Sequence, residues 1–243
     1  HGSNTAEETA YFLNLTAPTD SPVVLTAAMR GLNDTGSEAR RNFRDAVRVA
    51  ATPDAARRGT LFVANEEIHH ARAVTKVAST RPDAWASPGT GPVGLVDPDQ
   101  SVTFLSAVER ETAPNTPFDI AGLSPAEFPL QNVSVVFSSL AADGTLAEAA
   151  VAADAVGIIV AGFPTGLGAK SPGGDAQSDA LQHAAANNIP VVMCTRGFEG
   201  RIPPDSLDDY PGEYGIGGDT LRPQKARILL ALGLTITDDP GTL

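Results

Sequence analysis

Short, continuously apolar segments alternate with helical segments along most of this chain, and this alternation limits the fold more than any other feature. The runs Pro22 to Met29 and Thr60 to Ala64 have the composition of strands that are buried on both faces. Residues 6–15 and 39–52, which flank the first run, have the apolar spacing of helices. Because parallel strands require a long crossover, the pattern predicts an α/β fold with mainly parallel sheets.

The alternation stops between residues 107 and 131, where four prolines interrupt any helix or strand, and then begins again. The segments that follow predict three strands and three helices, at 133–139, 145–153, 157–161, 175–187, 190–195 and 223–234. We therefore predict two tandem α/β domains, residues 1–106 and residues 132–243, joined by a linker at 107–131.

Composition excludes several classes of protein. The chain has 29 acidic and 17 basic side chains and a net charge of −12, so its surface repels phosphate and we expect no nucleic-acid partner. No run approaches the roughly 18 apolar residues of a membrane-spanning helix, so we expect no membrane partner. Cys194 is the single cysteine, which excludes an intrachain disulfide and a cysteine-based zinc site.

The sequence offers only weak candidates for a metal site. His69 and His70 follow Glu66 and Glu67, but adjacent side chains of a strand point to opposite faces, so the two imidazoles would diverge. We therefore expect no metal and no other cofactor.

Two polar segments are candidates for a site. Ser3, Asn4 and Thr5 stand immediately before a predicted helix, where strand-end loops of α/β proteins build sites, although such residues also serve simply as helix caps. Lys76 follows a buried strand and is either a solvated surface lysine or a base in a partly buried polar site. The residues alone leave both alternatives open.

A third candidate is the glycine-rich segment after the predicted strand 157–161, which contains Gly162, Gly166 and Gly168. A phosphate-binding loop would enter a helix directly, whereas here Pro172-Gly-Gly intervenes. A strand-end loop that lines a site is the better interpretation.

Several motifs together resemble one known family. The segment His1-Gly-Ser-Asn-Thr-Ala-Glu-Glu-Thr-Ala10 resembles the second signature of bacterial-type (type II-like) L-asparaginases, His-Gly-Thr-Asp-Thr followed by Glu-Glu-Thr-Ala. Ala28-Met-Arg30 and Val74-Thr-Lys76 resemble a Gly-Ala-Met-Arg strand end and an Asp-Val-Thr-Lys stretch of that family. Further matches occur in the same order at Gly91-Pro-Val-Gly94, Thr116-Pro-Phe-Asp119 and Leu221-Arg-Pro-Gln-Lys-Ala-Arg227.

The resemblance implies an amidohydrolase that splits L-asparagine, or L-glutamine, into the acid and ammonia through a hydroxyl nucleophile. It implies that Ser3, Asn4 and Lys76 are catalytic, and that Ser3, Asn4 and Ala28 bind the substrate. Ser3 stands at the position of a catalytic threonine, and Asn4 at that of an aspartate that binds the α-ammonium group. Lys76 would take the hydroxyl proton, and the backbone of Ala28 would contact the side-chain amide. The resemblance also implies a homo-oligomer, a tetramer.

The chain departs from the family at four places. The opening Thr-Gly-Gly-Thr-Ile segment, with its nucleophilic threonine, has no counterpart. We therefore expect a chain truncated at its N-terminus, a first domain that is incomplete there, and no activity of this chain alone. Asn4 lacks the charge of an aspartate, and Thr165 and Leu167 replace asparagines. The acid that is donated across a subunit interface has three candidates, Asp208, Asp209 and Glu213.

Three functions remain in competition. The departures favour a non-catalytic relative that keeps the fold as a binding module, and the matching motifs, which mostly mark the fold, do not exclude it. A third and weaker alternative is the asparaginase-like subunit of an archaeal tRNA amidotransferase, which the acidic surface disfavours. Our prediction is an L-asparaginase-like amidohydrolase. The compartment is predicted only as cytoplasmic or periplasmic.

Overall fold

The computed structural model describes residues 1–108, 111–122, 124, 129–170, 176–203, 215–237 and 239. The chain forms two compact units, His1–Ile120 and Ala121–Leu243. Each unit combines helices with a sheet, so the predicted two-domain α/β fold is confirmed. The division between the units falls inside the predicted linker, and the finer domain boundaries stay a prediction.

Within its described residues, the first unit contains a five-stranded sheet, a two-stranded sheet, two α-helices and a short 3-10 helix, Pro53–Ala55. Its strands and helices are, in chain order, α1 (Ala6–Thr16), β1 (Val23–Thr26), α2 (Ala39–Ala51), β2 (Thr60–Ala64), β3 (Glu67–His70), β4 (Thr75–Lys76), β5 (Trp85–Ala86), β6 (Gly94–Val96) and β7 (Val102–Phe104). The larger sheet has the order β1-β2-β3-β6-β7, and β4 pairs with β5.

The larger sheet is mixed rather than mainly parallel, although the sequence predicts one of its antiparallel pairs, the hairpin of residues 93–96 and 101–105. Strands β1 and β2 are parallel, but the pairs β2–β3, β3–β6 and β6–β7 are antiparallel. The reversal occurs at Asn65 and Glu66, which have positive φ values of 51° and 70° and form a two-residue hairpin loop. A second difference is that β1 is half-buried along its whole length rather than buried on both faces.

Helices α1 and α2 cover opposite faces of β2. Phe62 and Ala64 pack with Ala6 and Ala10 of α1, whereas the alternate residues of β2 pack with α2. Ala6 and Ala10 are fully buried, and their small side chains let the first turns of α1 approach the sheet closely. This packing fixes the N-terminal end of α1.

Part of the predicted linker belongs to the first unit. The Ala113 backbone N–H donates to the Asn14 carbonyl oxygen at 2.8 Å, and the Thr116 hydroxyl donates to the Leu15 carbonyl oxygen at 2.5 Å. Both contacts lie at the C-terminal end of α1. Residues 112–116 therefore pack on the first unit rather than form a free connection.

The second unit is a sheet with helices on both faces. Its elements are β8 (Val133–Phe137), α3 (Thr145–Ala152), β9 (Gly157–Gly162), α4 (Gln177–Ala186), β10 (Val191–Thr195), β11 (Ile216–Gly217) and α5 (Pro223–Gly233). The order is β11-β10-β9-β8, and every neighbouring pair is parallel, as the sequence predicts. Helices α3 and α4 cover Ile158 and Val160, whereas α5 covers the other face, where Leu230 lies against Gly157.

Among the residues that the structure describes, no helix combines the length and apolar character needed to cross a bilayer.

Candidate active site

Ser3 lies in the turn that leads into α1. Residues 3–5 form this turn, and the helix begins at Ala6 with the Thr9 N–H donating to the Thr5 carbonyl oxygen at 2.9 Å. Thr5 is the N-terminal cap residue, but its side chain makes no capping hydrogen bond. The position of Ser3 is therefore set by the packing of the first turn of α1 against β2, not by a side-chain cap.

Lys76 lies on β4, which pairs with β5 in a short hairpin. Lys76 is opposite Trp85, and the next residue, Val77, donates its N–H to the Ala84 carbonyl oxygen at 2.7 Å. Trp85 is buried, and its ring centroid lies 4.5 Å from that of Phe62 on β2. A hairpin held by the buried aromatic pair thus supports the Lys76 backbone beside α1.

The structure brings the side chains of Ser3 and Lys76 together. The Lys76 Nζ donates a hydrogen bond to the Ser3 Oγ at 2.9 Å, and both residues are half-buried. This distance suits the transfer of a proton between an amine and a hydroxyl group. The proximity of the two side chains is the arrangement that the sequence predicts.

Neither Asn4 nor Ala28 is hydrogen-bonded to Ser3 or Lys76 within the described part of the chain. The Asn4 side chain is exposed and makes no hydrogen bond with the described part of the chain. Ala28 lies two residues beyond β1 and is half-buried. The His1 backbone nitrogen donates to the carbonyl oxygen of Thr26, the last residue of β1, at 3.0 Å, so the segment that carries Ser3 runs beside this strand end. The predicted substrate-binding roles of Asn4 and Ala28 stay predictions.

Glu7 is a residue of this region to which the sequence analysis gives no role. Its side chain is 8% exposed, its Oε1 accepts a hydrogen bond from the Lys76 backbone N–H at 3.5 Å, and its Oε2 is buried without a hydrogen-bond partner among the described residues. The sequence carries no signal for this contact, because Ser3 precedes the helix that contains Glu7 and the contact is made with a backbone N–H.

A second polar cluster in the first unit surrounds His69 of β3. The His69 Nδ1 lies 2.9 Å from the Ser87 Oγ, and its Nε2 lies 3.3 Å from a carboxylate oxygen of Glu67. This contact with His69 holds the pKa of the Glu67 carboxyl below its ordinary value of 4.5, although partial burial opposes the shift. Within the described ranges no group of three or more His, Cys, Asp or Glu side chains could hold a metal ion.

The other sequence candidates lie in the second unit. The glycine-rich segment folds back tightly after β9, because the Phe163 N–H donates to the Leu167 carbonyl oxygen at 2.9 Å and the Gly166 N–H to the Phe163 carbonyl oxygen at 2.6 Å. The candidate interface acids Asp208, Asp209 and Glu213 lie outside the described residues. Their predicted role is untested.

Comparison with known proteins places the chain in a family. Residues 1–109 match the family model of the N-terminal asparaginase domain, and residues 132–243 match that of the glutaminase/asparaginase C-terminal domain. The chain belongs to the asparaginase family.

Three relatives of this family are similar over nearly the whole chain. An L-asparaginase 2 of Bacillus subtilis is 37% identical over 99% of the chain, and a probable periplasmic L-asparaginase of Haemophilus influenzae is 36% identical over 100% of it. A glutaminase-asparaginase of Pseudomonas fluorescens is 33% identical, also over 100% of the chain. The chain spans 60%, 67% and 64% of the lengths of these relatives, respectively.

Proposed function

We propose that this protein hydrolyses the side-chain amide of L-asparagine to L-aspartate and ammonia. The observation that carries the proposal is the hydrogen bond of 2.9 Å between Lys76 and Ser3 at the start of α1. It has support from the match to both asparaginase domain models and from the names of the relatives, which include L-asparaginases and a glutaminase-asparaginase.

The reaction that these two residues support is acyl transfer through an ester. The Ser3 oxygen attacks the amide carbon, while its proton passes to the neutral amine of Lys76. The Lys76 ammonium then gives this proton to the nitrogen of the tetrahedral intermediate, which leaves as ammonia, and the aspartyl group stays on Ser3 as an ester. Water hydrolyses this ester, which releases aspartate and restores the hydroxyl group.

Substrate recognition is assigned to the neighbouring residues. The Asn4 side-chain oxygen can accept a hydrogen bond from the α-ammonium group of the amino acid, although it carries no charge to balance that group. The backbone of Ala28, next to the end of β1, can contact the side-chain amide. L-Glutamine is the second substrate to compare, and a homo-oligomeric assembly stays part of the proposal.

The proposal is tested by measuring the steady-state rate of ammonia release from L-asparagine. The sample is the protein in the form in which its cell produces it. We expect release from L-asparagine, and we expect the Ser3→Ala and Lys76→Ala variants to lose about 100-fold or more in rate, the usual cost of removing a nucleophile or its base. Lys170→Ala, which changes an exposed lysine, is the matched control and should keep the rate.

Two outcomes would contradict the proposal. A folded protein that binds L-asparagine in calorimetry but releases no ammonia would instead be the non-catalytic binding module. Ammonia release that survives both Ser3→Ala and Lys76→Ala would assign the chemistry to other residues. This assignment of the nucleophile to Ser3 differs from the expectation that the attacking threonine belongs to the opening segment, and the inactivity of the chain alone, which rests on that expectation, stays a prediction.

A further inference from the structure

Ala28 lies between two residues whose backbone groups are held by side chains at the start of α2. On one side, the Asn42 Nδ2 donates to the Ala27 carbonyl oxygen at 3.0 Å. On the other side, the Glu38 Oε1 accepts a hydrogen bond from the Met29 N–H. The N–H and the carbonyl oxygen of Ala28 itself have no hydrogen-bond partner among the described residues. Both neighbours of Ala28 are thus fixed, while its own polar groups are available to a ligand.

The geometry of the peptide bond determines where these two groups point. A trans peptide is planar, and its C=O and N–H point in opposite directions. Because the Ala27 carbonyl oxygen is turned toward Asn42 of α2, the Ala28 N–H of the same peptide is turned away from this helix. The Ala28 carbonyl oxygen is turned away as well, because the Met29 N–H of its peptide is turned toward Glu38, the cap residue of α2.

The side away from α2 is the side of the sheet on which Ser3 lies. Helices α1 and α2 cover opposite faces of β2, and Ser3 belongs to the turn that leads into α1. The hydrogen bond of 3.0 Å from the His1 nitrogen to the Thr26 carbonyl oxygen brings the segment of Ser3 beside the end of β1. The polar groups of Ala28 therefore point toward the side that carries the proposed nucleophile.

The side chain of Asn42 is itself firmly held. It is 2% exposed, and its Oδ1 accepts a hydrogen bond from the Asn65 N–H at 2.9 Å. The Asn65 Nδ2 donates in turn to the Pro82 carbonyl oxygen at 2.6 Å, in the loop that joins β4 to β5. A continuous series of hydrogen bonds thus leads from Ala27 to the hairpin that carries Lys76. Because the Asn42 nitrogen donates and its oxygen accepts, exchange of the two atoms would lose both bonds.

We propose that Glu38 and Asn42 are positioning residues, which hold Ala28 in the orientation in which its backbone binds the side-chain amide of the substrate. This inference rests on the proposed function, since it explains the contact that is assigned there to Ala28. An N–H donor beside a carbonyl acceptor is complementary to a primary amide, which has an acceptor oxygen and two N–H donors. An ester has the acceptor oxygen but no N–H, so the two groups of Ala28 together favour an amide over an ester.

The kinetic test compares an amide and an ester of the same acid, on the protein in the form in which its cell produces it. The measured quantity is kcat/KM for L-asparagine divided by kcat/KM for the β-methyl ester of L-aspartate. Asn42→Asp loses the donor to Ala27 but keeps the acceptor for Asn65. Glu38→Met loses the acceptor for the Met29 N–H. We expect each change to lower the ratio about fivefold or more, the factor that one neutral hydrogen bond typically represents.

The ratio separates positioning from loss of folding. A variant of which only a fraction is folded loses both activities in equal proportion, so its ratio stays the same. Glu38→Gln keeps an acceptor oxygen for the Met29 N–H and should restore the ratio to within about twofold of the unmutated value. Asn33→Asp, which changes an exposed asparagine before α2, is the matched control for Asn42→Asp and should leave the ratio unchanged.

Hydrogen exchange followed by mass spectrometry tests the contact of Glu38 without any catalysis. Overlapping peptides that resolve Met29 give the exchange rate of its N–H, which the hydrogen bond to Glu38 protects. We expect this N–H to exchange about tenfold or more faster in Glu38→Met than in Glu38→Gln, because local protection depends on the acceptor. If the unmutated protein hydrolyses neither compound, the proposed function fails, and the exchange rates still decide whether Met29 is held.

Three results would overturn the inference. They are an unchanged ratio in folded Asn42→Asp or Glu38→Met protein, equal exchange of the Met29 N–H in the two Glu38 variants, and loss of folding in both Asn42→Asp and Glu38→Met by circular dichroism. The last result would show that the two side chains serve only the fold. If one of the two variants fails to fold, the ratio of the other decides.

Discussion

The Lys76 amine donates a hydrogen bond of 2.9 Å to the Ser3 hydroxyl oxygen although 73 residues separate the two in the chain. Two independent supports create this contact. The first turn of α1 is held against β2 through Ala6, and the β4–β5 hairpin is held through the buried Trp85. The pair is therefore placed by the core of the first unit, not by the local preferences of either side chain.

We predict that the Cys194 thiol is unreactive in the folded protein. Burial raises its pKa to about 12, and the Arg222 charge lowers the pKa only in part. The thiolate is the reactive species, so almost none is present near neutral pH. An aromatic disulfide reagent, followed by absorbance, should detect no thiol in native protein and one thiol per chain in denaturant. Rapid labelling of native protein would contradict the burial of Cys194.

We predict that Gly162→Ala destabilises the second unit by about 2–3 kcal/mol. A Cβ at this position would lie 2.3 Å from the Gly166 carbonyl oxygen and 2.9 Å from that of Leu167, and these are backbone atoms that cannot turn aside. The free energy of unfolding in urea measures the effect. Gly122→Ala is the control, because its Cβ would meet nothing within 4 Å. Equal stabilities of the two variants would show that the loop backbone moves to accommodate the added Cβ at little cost in free energy.

The sequence predicts the second unit better than the first. Strands β9 and β10 are short apolar runs that are buried at every position, and a helix or a loop follows each, so the sequence marks them clearly. In the first unit, β4 and β5 have two residues each, too few to produce any periodicity. The hairpin between β2 and β3 turns at Asn65 and Glu66 rather than at the usual Asn-Gly, so it carries no recognisable turn signal.

The sequence likewise predicts only part of the candidate site. Ser3 and Lys76 lie in motifs that the family shares, and their contact could be expected from the resemblance. Glu7 could not, because its importance comes from burial and from a contact with a backbone N–H, which no residue pattern records. The same holds for His69 and Ser87, which approach each other only because β3 and the end of β5 are neighbours in the fold.

We predict that Glu67→Gln removes a small part of the pH dependence of stability. His69 holds the pKa of Glu67 below 4.5 in the folded protein, so the carboxylate adds stability above the unfolded pKa. This contribution disappears as the pH falls through the folded pKa. The Glu67 side chain is 42% exposed, and solvent screening limits the effect to below about 1 kcal/mol.

Unfolding in urea at about pH 6 and about pH 3 tests this prediction. The unmutated chain should exceed Glu67→Gln in stability at the higher pH, and the difference should be smaller at the lower one. Glu148→Gln, which changes an exposed carboxylate of α3, should show no such change. A difference that is the same at both values would mean that the pKa of Glu67 does not change on folding.

The last prediction concerns Asn4, whose exposed side chain leaves room for a charge. Asn4→Asp would pair a carboxylate with the α-ammonium group of L-asparagine, and charge-assisted hydrogen bonds contribute about 1.5–3 kcal/mol against about 1 for neutral ones. We predict a Michaelis constant about tenfold lower, the factor that about 1.4 kcal/mol represents. The new charge would also attract the Lys76 ammonium and oppose its action as a base, so turnover should change less and in the unfavourable direction.

Steady-state kinetics on the natural protein and its Asn4→Asp variant decides between the two effects. Asn115→Asp, a change of the same kind in the segment that packs on the C-terminal end of α1, is the matched control and should leave both constants unchanged. The ammonium is remote from the reacting amide, so the benefit should appear in binding before it appears in the chemical step. An unchanged or higher Michaelis constant would mean that the substrate's ammonium group does not lie at Asn4, and the substrate-binding role proposed for this residue would then be wrong.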